Sequence, residues 1–289
     1  MIRMFCGAAL ALCAAVASAQ TLNGPESVEV HARTGRVFVS NKNSPGQILV
    51  RATDGTLSVF TDDPTAPYGI ELLGGVLYVL DSGSVRGYDV DSAARVFDEP
   101  IAGASFLNGI TSDGRDTLYV TDFSAKKLIR LDVADLAQPV QTPLATLTQT
   151  PNGVVYDGAN GRLLIATWGS NAKILSYDLA AGGVPTVLID TAAPNTPLSN
   201  IDGIALDCRG AIYVTPWSCP GGGGCLRRFD PPFSTTSPHV AVGPALASPA
   251  DIDYGKYTGD VAVPESSGNR VTLVATGCEP SVFGSDFER

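Results

Sequence analysis

The sequence predicts an all-β protein, a six-bladed β-propeller with a central channel. Six segments each place a short turn before an apolar strand, and they recur at intervals of about 40–50 residues. Two or three further short strands follow each of them, separated by polar turns that contain glycine, while helical periodicity is nearly absent. Units of this kind are typical of propeller blades. A β-sandwich is the alternative fold, but it does not explain six similar units.

The chain begins with a stretch that has the features of a secretory signal peptide. Arg3 supplies a positive start, residues 4–16 are almost wholly apolar, and residues 17–19 form an A-x-A cleavage site. We therefore predict a signal peptide at 1–19, the propeller at 20–278 and a short C-terminal tail at 279–289. No later apolar run reaches the ~18 residues that cross a bilayer, so we expect a periplasmic or extracellular protein without membrane insertion.

The composition narrows the class of function. Removing residues 1–19 removes one basic residue, Arg3, and changes the formal charge from −10 to −11. Such an acidic chain does not favour nucleic-acid binding and suits the binding of cations. Two histidines and no G-x-S-x-G motif argue against a histidine zinc site or a Ser-His-Asp triad. A small-molecule substrate is the expected partner.

The first strand of each blade is expected to line the channel. These strands contain PESVEV from Pro25, PYGIEL from Pro67, LNGITS from Leu107, PNGVVY from Pro151, IDGIAL from Ile201 and PADIDY from Pro249. The second residue of each segment should lie near the channel axis on one face, which we call the top face. We call these residues the reference positions; they are Glu26, Tyr68, Asn108, Asn152, Asp202 and Ala250.

Second and third strands complete each unit. The second strands read RVFVSN, VLYVLD, TLYVTD, LLIATW, AIYVTP and DVAVPE. The third strands read QILVR, VRGYDV, LIRLDV, ILSYDL, LRRFD and RVTLV. The outermost strand of the sixth blade is not obvious, and either residues 20–24 or residues 279–283 would fill its place.

Four cysteines follow the signal segment, and an even number in an exported chain favours disulfides. Cys208 lies in the bottom turn of the fifth blade, and Cys278 follows the third strand of the sixth, so this pair would tie the two blades together. Cys219 and Cys225 flank PGGGG in a top loop and would close it locally.

The reference positions predict a cation site at the top of the channel. Glu26, Asn108, Asn152 and Asp202 carry side-chain oxygens, which are the ligands that Ca²⁺ takes. The alternative is that these residues only form turns, because Asn-Gly and Asp-Gly are common turn pairs. Turn chemistry explains Glu26 least well.

These motifs resemble those of the gluconolactonase/regucalcin (senescence marker protein) family. Glu26-Ser27 is similar to the glutamate of that family's first blade, Asn152-Gly153 to its Pro-Asn-Gly ligand, and Asp202-Gly203 to its Asp-Gly pair. The resemblance implies one divalent cation, with Ca²⁺ expected, held by Glu26, Asn152 and Asp202. It also implies that Asp202 acts as the general base and that Asn108 binds substrate.

The sequence departs from the family at the third blade. Phe106 stands where the family has an arginine that binds a sugar lactone, and Gly109 stands where it has an aspartate. Residues expected to bind substrate are Asn108, Tyr68, Phe106, Trp168 and Trp217. Because four of these are aromatic, we expect an apolar lactone or ester as substrate, unless the rings only pack between blades.

Three functions follow from these residues. The first is an exported, metal-dependent hydrolase of a lactone or related ester. The second is a non-catalytic propeller, similar to NHL-repeat proteins, that binds a ligand or protein and holds a structural cation. The third is a strictosidine-synthase-like or lyase propeller, but such an enzyme would require a catalytic Glu or His over the channel.

Overall fold

The computed structural model describes residues 20–192 and 197–280. These residues form 23 β-strands, with no α-helix among them. The strands make six separate antiparallel sheets, five of four strands and one of three. The predicted six-bladed propeller is therefore confirmed. No described part of the chain forms a helix that is long and apolar enough to cross a membrane.

Each of the first three blades has four strands in sequence order. The strands of blade one are β1 (Pro25–Val30), β2 (Val37–Asn41), β3 (Gln47–Arg51) and β4 (Leu57–Thr61). Those of blade two are β5 (Pro67–Leu73), β6 (Val76–Asp81), β7 (Ser84–Asp89) and β8 (Arg95–Pro100). Those of blade three are β9 (Leu107–Ser112), β10 (Thr117–Asp122), β11 (Lys127–Asp132) and β12 (Val140–Thr146).

Blades four and five repeat this order, and blade six has three described strands. Blade four contains β13 (Thr150–Asp157), β14 (Arg162–Trp168), β15 (Lys173–Asp178) and β16 (Thr186–Asp190). Blade five contains β17 (Ser199–Leu206), β18 (Ile212–Ser218), β19 (Gly224–Phe229) and β20 (Val240–Leu246). Blade six contains β21 (Asp253–Gly255), β22 (Asp260–Glu265) and β23 (Arg270–Ala275).

Burial falls from the channel outward, as a ring of packed sheets requires. In blade three the two inner strands, β9 and β10, are buried at every position, whereas β12 is mostly exposed. Apolar side chains of neighbouring blades form the core between the sheets; one cluster joins Leu80 of blade two to Ile110 and Val120 of blade three. The inner strands are therefore held rigidly around the axis.

A β-bulge stands at the reference position of each of the first five blades. In blade four Pro151 pairs with Thr167 and Val154 pairs with Ile165, so that two residues, Asn152 and Gly153, oppose one. The same register shift occurs in blades one, two, three and five. Because a bulge re-aims side chains out of the regular pleat, it separates the reference residues from the alternation of their strands.

The second residue of the bulge is glycine in blades two to five, and close approach of the next blade explains this. A Cβ atom on Gly109 would lie 2.5 Å from the backbone oxygen of Asn152, and one on Gly153 would lie 2.7 Å from that of Asp202. Only a residue without a Cβ fits these contacts. The glycines thus bring successive inner strands together at the top of the channel.

Blades one and six close the ring through backbone and side-chain contacts. Asp251 donates its N–H to the carbonyl oxygen of Glu26 at 2.8 Å, and the Asp253 carboxylate accepts the N–H of Val30 at 2.9 Å. Residues 20–24 do not form the fourth strand of blade six; Leu22 instead packs against the apolar cluster that joins Val28 of blade one to Ala262 of blade six. Of the alternative segment, residues 281–283 lie outside the described residues.

Both predicted disulfides are confirmed. Cys208 and Cys278 are bonded with Cα atoms 6.1 Å apart, and Cys219 and Cys225 with Cα atoms 6.2 Å apart. The first bond ties the bottom turn of blade five to the end of blade six. Disulfides are typical of proteins in an oxidising, exported compartment. The predicted signal peptide, residues 1–19, lies outside the described residues.

Candidate functional site

The reference residues form a buried polar floor at the top of the channel. Glu26, Asn108, Asn152 and Asp202 are each less than 7% exposed, and Ala250 is fully buried. Tyr68, the reference residue of blade two, is half-buried. Four polar side chains at the centre of a ring are unusual for a core position, so this floor is the candidate site.

The two carboxylates of the floor act on each other. Burial raises the pKa of Asp202 well above its ordinary value, and the nearby charges of Glu26 and Asp251 raise it further. Burial also raises the pKa of Glu26, although Lys42 opposes this shift. Residues that are far apart in sequence are thus brought close enough to interact, as the repeat register predicts.

Lys42 is part of this site, although the sequence analysis did not select it. Its ammonium group is paired with the Glu26 carboxylate and lies 5.8 Å from the centre of the Tyr68 ring. Burial acts to lower the pKa of Lys42, but the charge and hydrogen bond of Glu26 outweigh it and raise the pKa, with a further contribution from Asp202. The protein thus places its own cation at the edge of the floor.

The repeat register contains the signal that would have found Lys42. Lys42 follows Asn41, the strand partner of Pro25, just as Phe123 follows Asp122, the partner of Leu107. One residue per blade occupies this place, one position beyond the strand partner of the residue that precedes the reference position. These residues are, in blade order, Lys42, Ser82, Phe123, Trp168, Trp217 and Ser266.

The donor set of the floor fits a hard divalent cation. Glu26, Asn152 and Asp202 offer two carboxylates and an amide carbonyl, the oxygen ligands of Ca²⁺. Asn152 Oδ1 and Asp202 Oδ1 are buried and have no hydrogen-bond partner among the described residues. Buried side-chain oxygens normally have one, and leaving one unpaired costs about 1–3 kcal/mol. These two oxygens are therefore free to bind a cation, whereas Glu26 already faces Lys42.

Trp217 adds an unpaired donor beside the unpaired acceptors. Its indole N–H lies next to the Asp202 carboxylate and acts to lower the pKa of that group. Neither Trp217 Nε1 nor Asp202 Oδ1 completes a hydrogen bond with a described residue. A ligand that carries both a donor and an acceptor would satisfy the two atoms together.

Five aromatic rings border the floor in one continuous line, which we call the aromatic arc. The ring centres of Tyr68 and Phe106 are 4.7 Å apart, and Phe123 lies 5.5 Å from Phe106. Trp168 lies 6.0 Å from Phe123 and 5.3 Å from Trp217. All five side chains are half-buried. The rings pack on one another across three blade boundaries and also keep surface open at the top.

The acids that end the second strands serve the loops. The buried Asp122 carboxylate accepts the N–H groups of Ser105 and Phe106 at 2.6 and 3.1 Å, and that of Ala125 at 2.7 Å. Asp81 accepts the N–H of Ala66 at 2.8 Å in the same way. These carboxylates hold the top loops in place, which fixes the position of Phe106 in the arc.

The lower half of the channel is a separate cavity of about 570 Å³. Its lining includes four carboxyl groups from blades one, two and six: Glu29, Glu71, Asp251 and Asp253. Burial raises the pKa of Glu71 to about 8 and that of Asp251 to about 8. Asp251 also accepts a hydrogen bond from Ser27 Oγ at 3.1 Å. This cavity opens away from the floor and contains none of the predicted site residues.

Comparisons with known proteins support the fold. No protein-family model and no curated protein matches the chain. A structural genomics protein of unknown function from Bacteroides thetaiotaomicron is similar in structure, with a TM-score of 0.71 and 14% identity over 89% of this chain and 70% of that one.

Two enzymes are more distant in structure. A catalytically inactive virginiamycin B lyase from Staphylococcus aureus, solved with quinupristin, has a TM-score of 0.60 and 16% identity over 87% of this chain and 80% of that one. Kuenenia stuttgartiensis hydrazine synthase has a TM-score of 0.62 and 16% identity over 92% and 80%. At these identities the likeness concerns the fold alone, and the resemblance to the gluconolactonase/regucalcin family stays a prediction.

Proposed function

We propose that this protein is an exported hydrolase of a lactone or a related ester, with a divalent cation at the mouth of its channel. Glu26, Asn152 and Asp202 would hold the cation, and Ca²⁺ is the expected ion. The observation that carries this proposal is the pair of unpartnered buried oxygens, Asn152 Oδ1 and Asp202 Oδ1. They come from neighbouring blades, and turn chemistry alone leaves them unsatisfied.

The chain's own residues supply the other requirements of ester hydrolysis. When bound, the cation would polarise the ester carbonyl and lower the pKa of a water molecule. Asp202 would accept a proton from the attacking water through the carboxylate oxygen that does not bind the cation, and the burial of this carboxylate beside the cation site supports that role. Asn108 would orient a substrate oxygen from the next position of the floor. The aromatic arc would limit the access of bulk water.

Lys42 is expected to compete with the cation. Its ammonium group occupies Glu26, and its side chain is 22% exposed, so the flexible stem is able to swing toward solvent when Glu26 binds a metal ion. Removing the ammonium should therefore strengthen metal binding. This effect separates a competing lysine from one that only supports the fold.

The Lys42–Glu26 pair also favours a second function. If Lys42 is the permanent partner of Glu26, the floor needs no metal ion at that carboxylate. The protein would then be a non-catalytic propeller, similar to NHL-repeat proteins, that binds a ligand or protein at its top face. Under this alternative, any bound cation stabilises the protein and supports no turnover.

Calorimetric titration of chelator-treated mature protein with Ca²⁺ tests the metal site. We expect one bound ion per chain, weaker binding by at least tenfold in Asp202→Asn, and tighter binding in Lys42→Met. The control is Asp98→Asn, the same chemical change at a carboxylate that is 41% exposed on the outer strand of blade two. A parent protein that binds neither Ca²⁺ nor another divalent ion would rule out the proposed site.

Turnover is measured separately with a panel of lactones and esters, with and without chelator. Hydrolysis that stops with chelator, and that is lost in folded Asp202→Asn, supports the hydrolase. Metal binding that raises the melting temperature without turnover of any member of the panel supports the non-catalytic propeller.

A further inference from the structure

We infer that the aromatic arc selects lactones or esters that carry an extended hydrocarbon group, and that it discriminates against polyhydroxylated ones. The inference rests on the proposed function, because it places the ester group of the ligand on the polar floor. One end of the arc is Tyr68, whose ring lies next to the Lys42 ammonium group. The other end is Trp217, which lies beside Asp202. A ligand whose ester group lies on the floor must therefore extend across these rings.

The geometry of the arc suits a hydrocarbon body. Neighbouring rings are steeply inclined, by 59° to 82°, so faces and edges alternate along the arc. Each ring keeps part of its surface exposed, and burying apolar surface yields roughly 25 cal/mol per Å². Carbon–hydrogen groups of a ligand would pack into the angles between the rings. The gain in affinity should grow with the length of the hydrocarbon.

The polar groups of the arc are too few for a sugar. Phe106 and Phe123, in its middle, carry no polar side-chain atom, and the Trp217 N–H is buried next to the Asp202 carboxylate of the floor. Among the described residues, Lys42 is the only cation found over a ring of the arc, and it is paired with Glu26. Hydroxyl groups of a polyhydroxylated ligand that lie over Phe106 and Phe123 would lose water without gaining partners there, which is unfavourable.

The arc contains its own spectroscopic probe. Trp168 and Trp217 are the two tryptophans of the chain, so emission excited at tryptophan wavelengths reports on the arc alone. We would titrate the mature protein, in the presence of a chelator, with γ-butyrolactone, γ-octalactone, γ-dodecalactone and glucono-δ-lactone. Affinity should rise about two- to fourfold with each added methylene group over the part of the series that the arc covers. Equal affinity for all four compounds, or tightest binding of glucono-δ-lactone, overturns the inference.

A matched pair of variants locates the effect. Phe123→Ala removes the central ring and should lower affinity for γ-dodecalactone at least fivefold, while affinity for γ-butyrolactone stays unchanged. Phe60→Ala is the control, because Phe60 is also half-buried and packs edge-on against Phe38, in blade one away from the arc. If Phe123→Ala does not fold, Phe123→Leu should show a smaller loss of the same kind. An equal loss in the Phe60 and Phe123 variants contradicts the assignment.

The same titration separates this inference from the proposed hydrolase. If binding in the presence of chelator depends on chain length, but no turnover appears once metal is restored, the selectivity of the arc is supported and the hydrolase proposal is refuted. Turnover of γ-butyrolactone and glucono-δ-lactone as efficient as that of γ-dodecalactone upholds the hydrolase and overturns the inference.

Discussion

Removing the disulfide between Cys208 and Cys278 should destabilise the propeller about twice as much as removing the one between Cys219 and Cys225. The first bond joins residues 70 positions apart and the second joins residues 6 positions apart. A cross-link stabilises the folded protein mainly by restricting the unfolded chain, and this restriction grows with loop length. The two bonds thus form an internal comparison in one chain.

The loop lengths give the size of the effect. The loop-closure relation predicts about 4.4 kcal/mol for the 70-residue loop and about 2.2 kcal/mol for the 6-residue loop. Cys278 is also buried in the cluster between blades five and six, beside Val261, so its replacement adds a packing loss. Alanine is the appropriate substitute at all four positions, because it buries no new polar group.

Urea unfolding of the parent and the two double variants measures both values. The free energy of unfolding follows from the midpoint with a shared slope, and tryptophan emission reports the transition. Cys208→Ala/Cys278→Ala should unfold at a clearly lower urea concentration than Cys219→Ala/Cys225→Ala. If the short-loop variant loses as much stability as the long-loop variant, the argument from loop length is wrong.

Two further predictions follow from the channel. Gly153→Ala should lower the free energy of unfolding by about 1–3 kcal/mol or more, since its Cβ would meet the backbone of Asp202. Gly83→Ala is the control, because its Cβ would meet nothing closer than 3.8 Å. Equal melting temperatures of the two variants would contradict the close-approach argument. The raised pKa of Glu71, to about 8 through burial, favours the folded protein below the unfolded pKa of about 4.5, and this stability is lost as the pH rises through about 8. Glu71→Gln should therefore reduce the fall in urea midpoint between pH 5 and pH 9, and an undiminished fall would argue against the shift.

Much of the fold was predictable because equivalent residues of the sequence repeat occupy the same position in the hydrogen-bond register of each blade. The reference positions were chosen by their place in the segments PESVEV to PADIDY, and a bulge stands at this place in each of the first five blades. The same register placed Cys208 and Cys278 on one face, and their pairing is confirmed. Equivalent backbone positions recur even where side chains differ, so this part of the structure can be predicted from one sequence.

Lys42 was missed for a physical reason. The register position of Lys42 holds Phe123, Trp168 and Trp217 in blades three to five, so a search for one residue type at this position misses the lysine of blade one. Its contact with Glu26 depends on the rotamer of a long side chain, which a repeat pattern does not specify. The closure of blade six was equally hard to predict, because the contacts of Leu22 and Asp251 occur once and are not part of any repeat.

The β-bulge at the reference positions affects which side chains the top of the channel can accept. The bulge takes the reference residue out of the regular strand pairing, and glutamate, tyrosine, asparagine and aspartate all occur at this position in the first five blades. The register position of Lys42 also varies among the six blades, where it holds lysine, serine, phenylalanine or tryptophan. Two sets of six positions therefore surround one axis, and replacing side chains at them would change the ligand preference while the backbone scaffold stays the same.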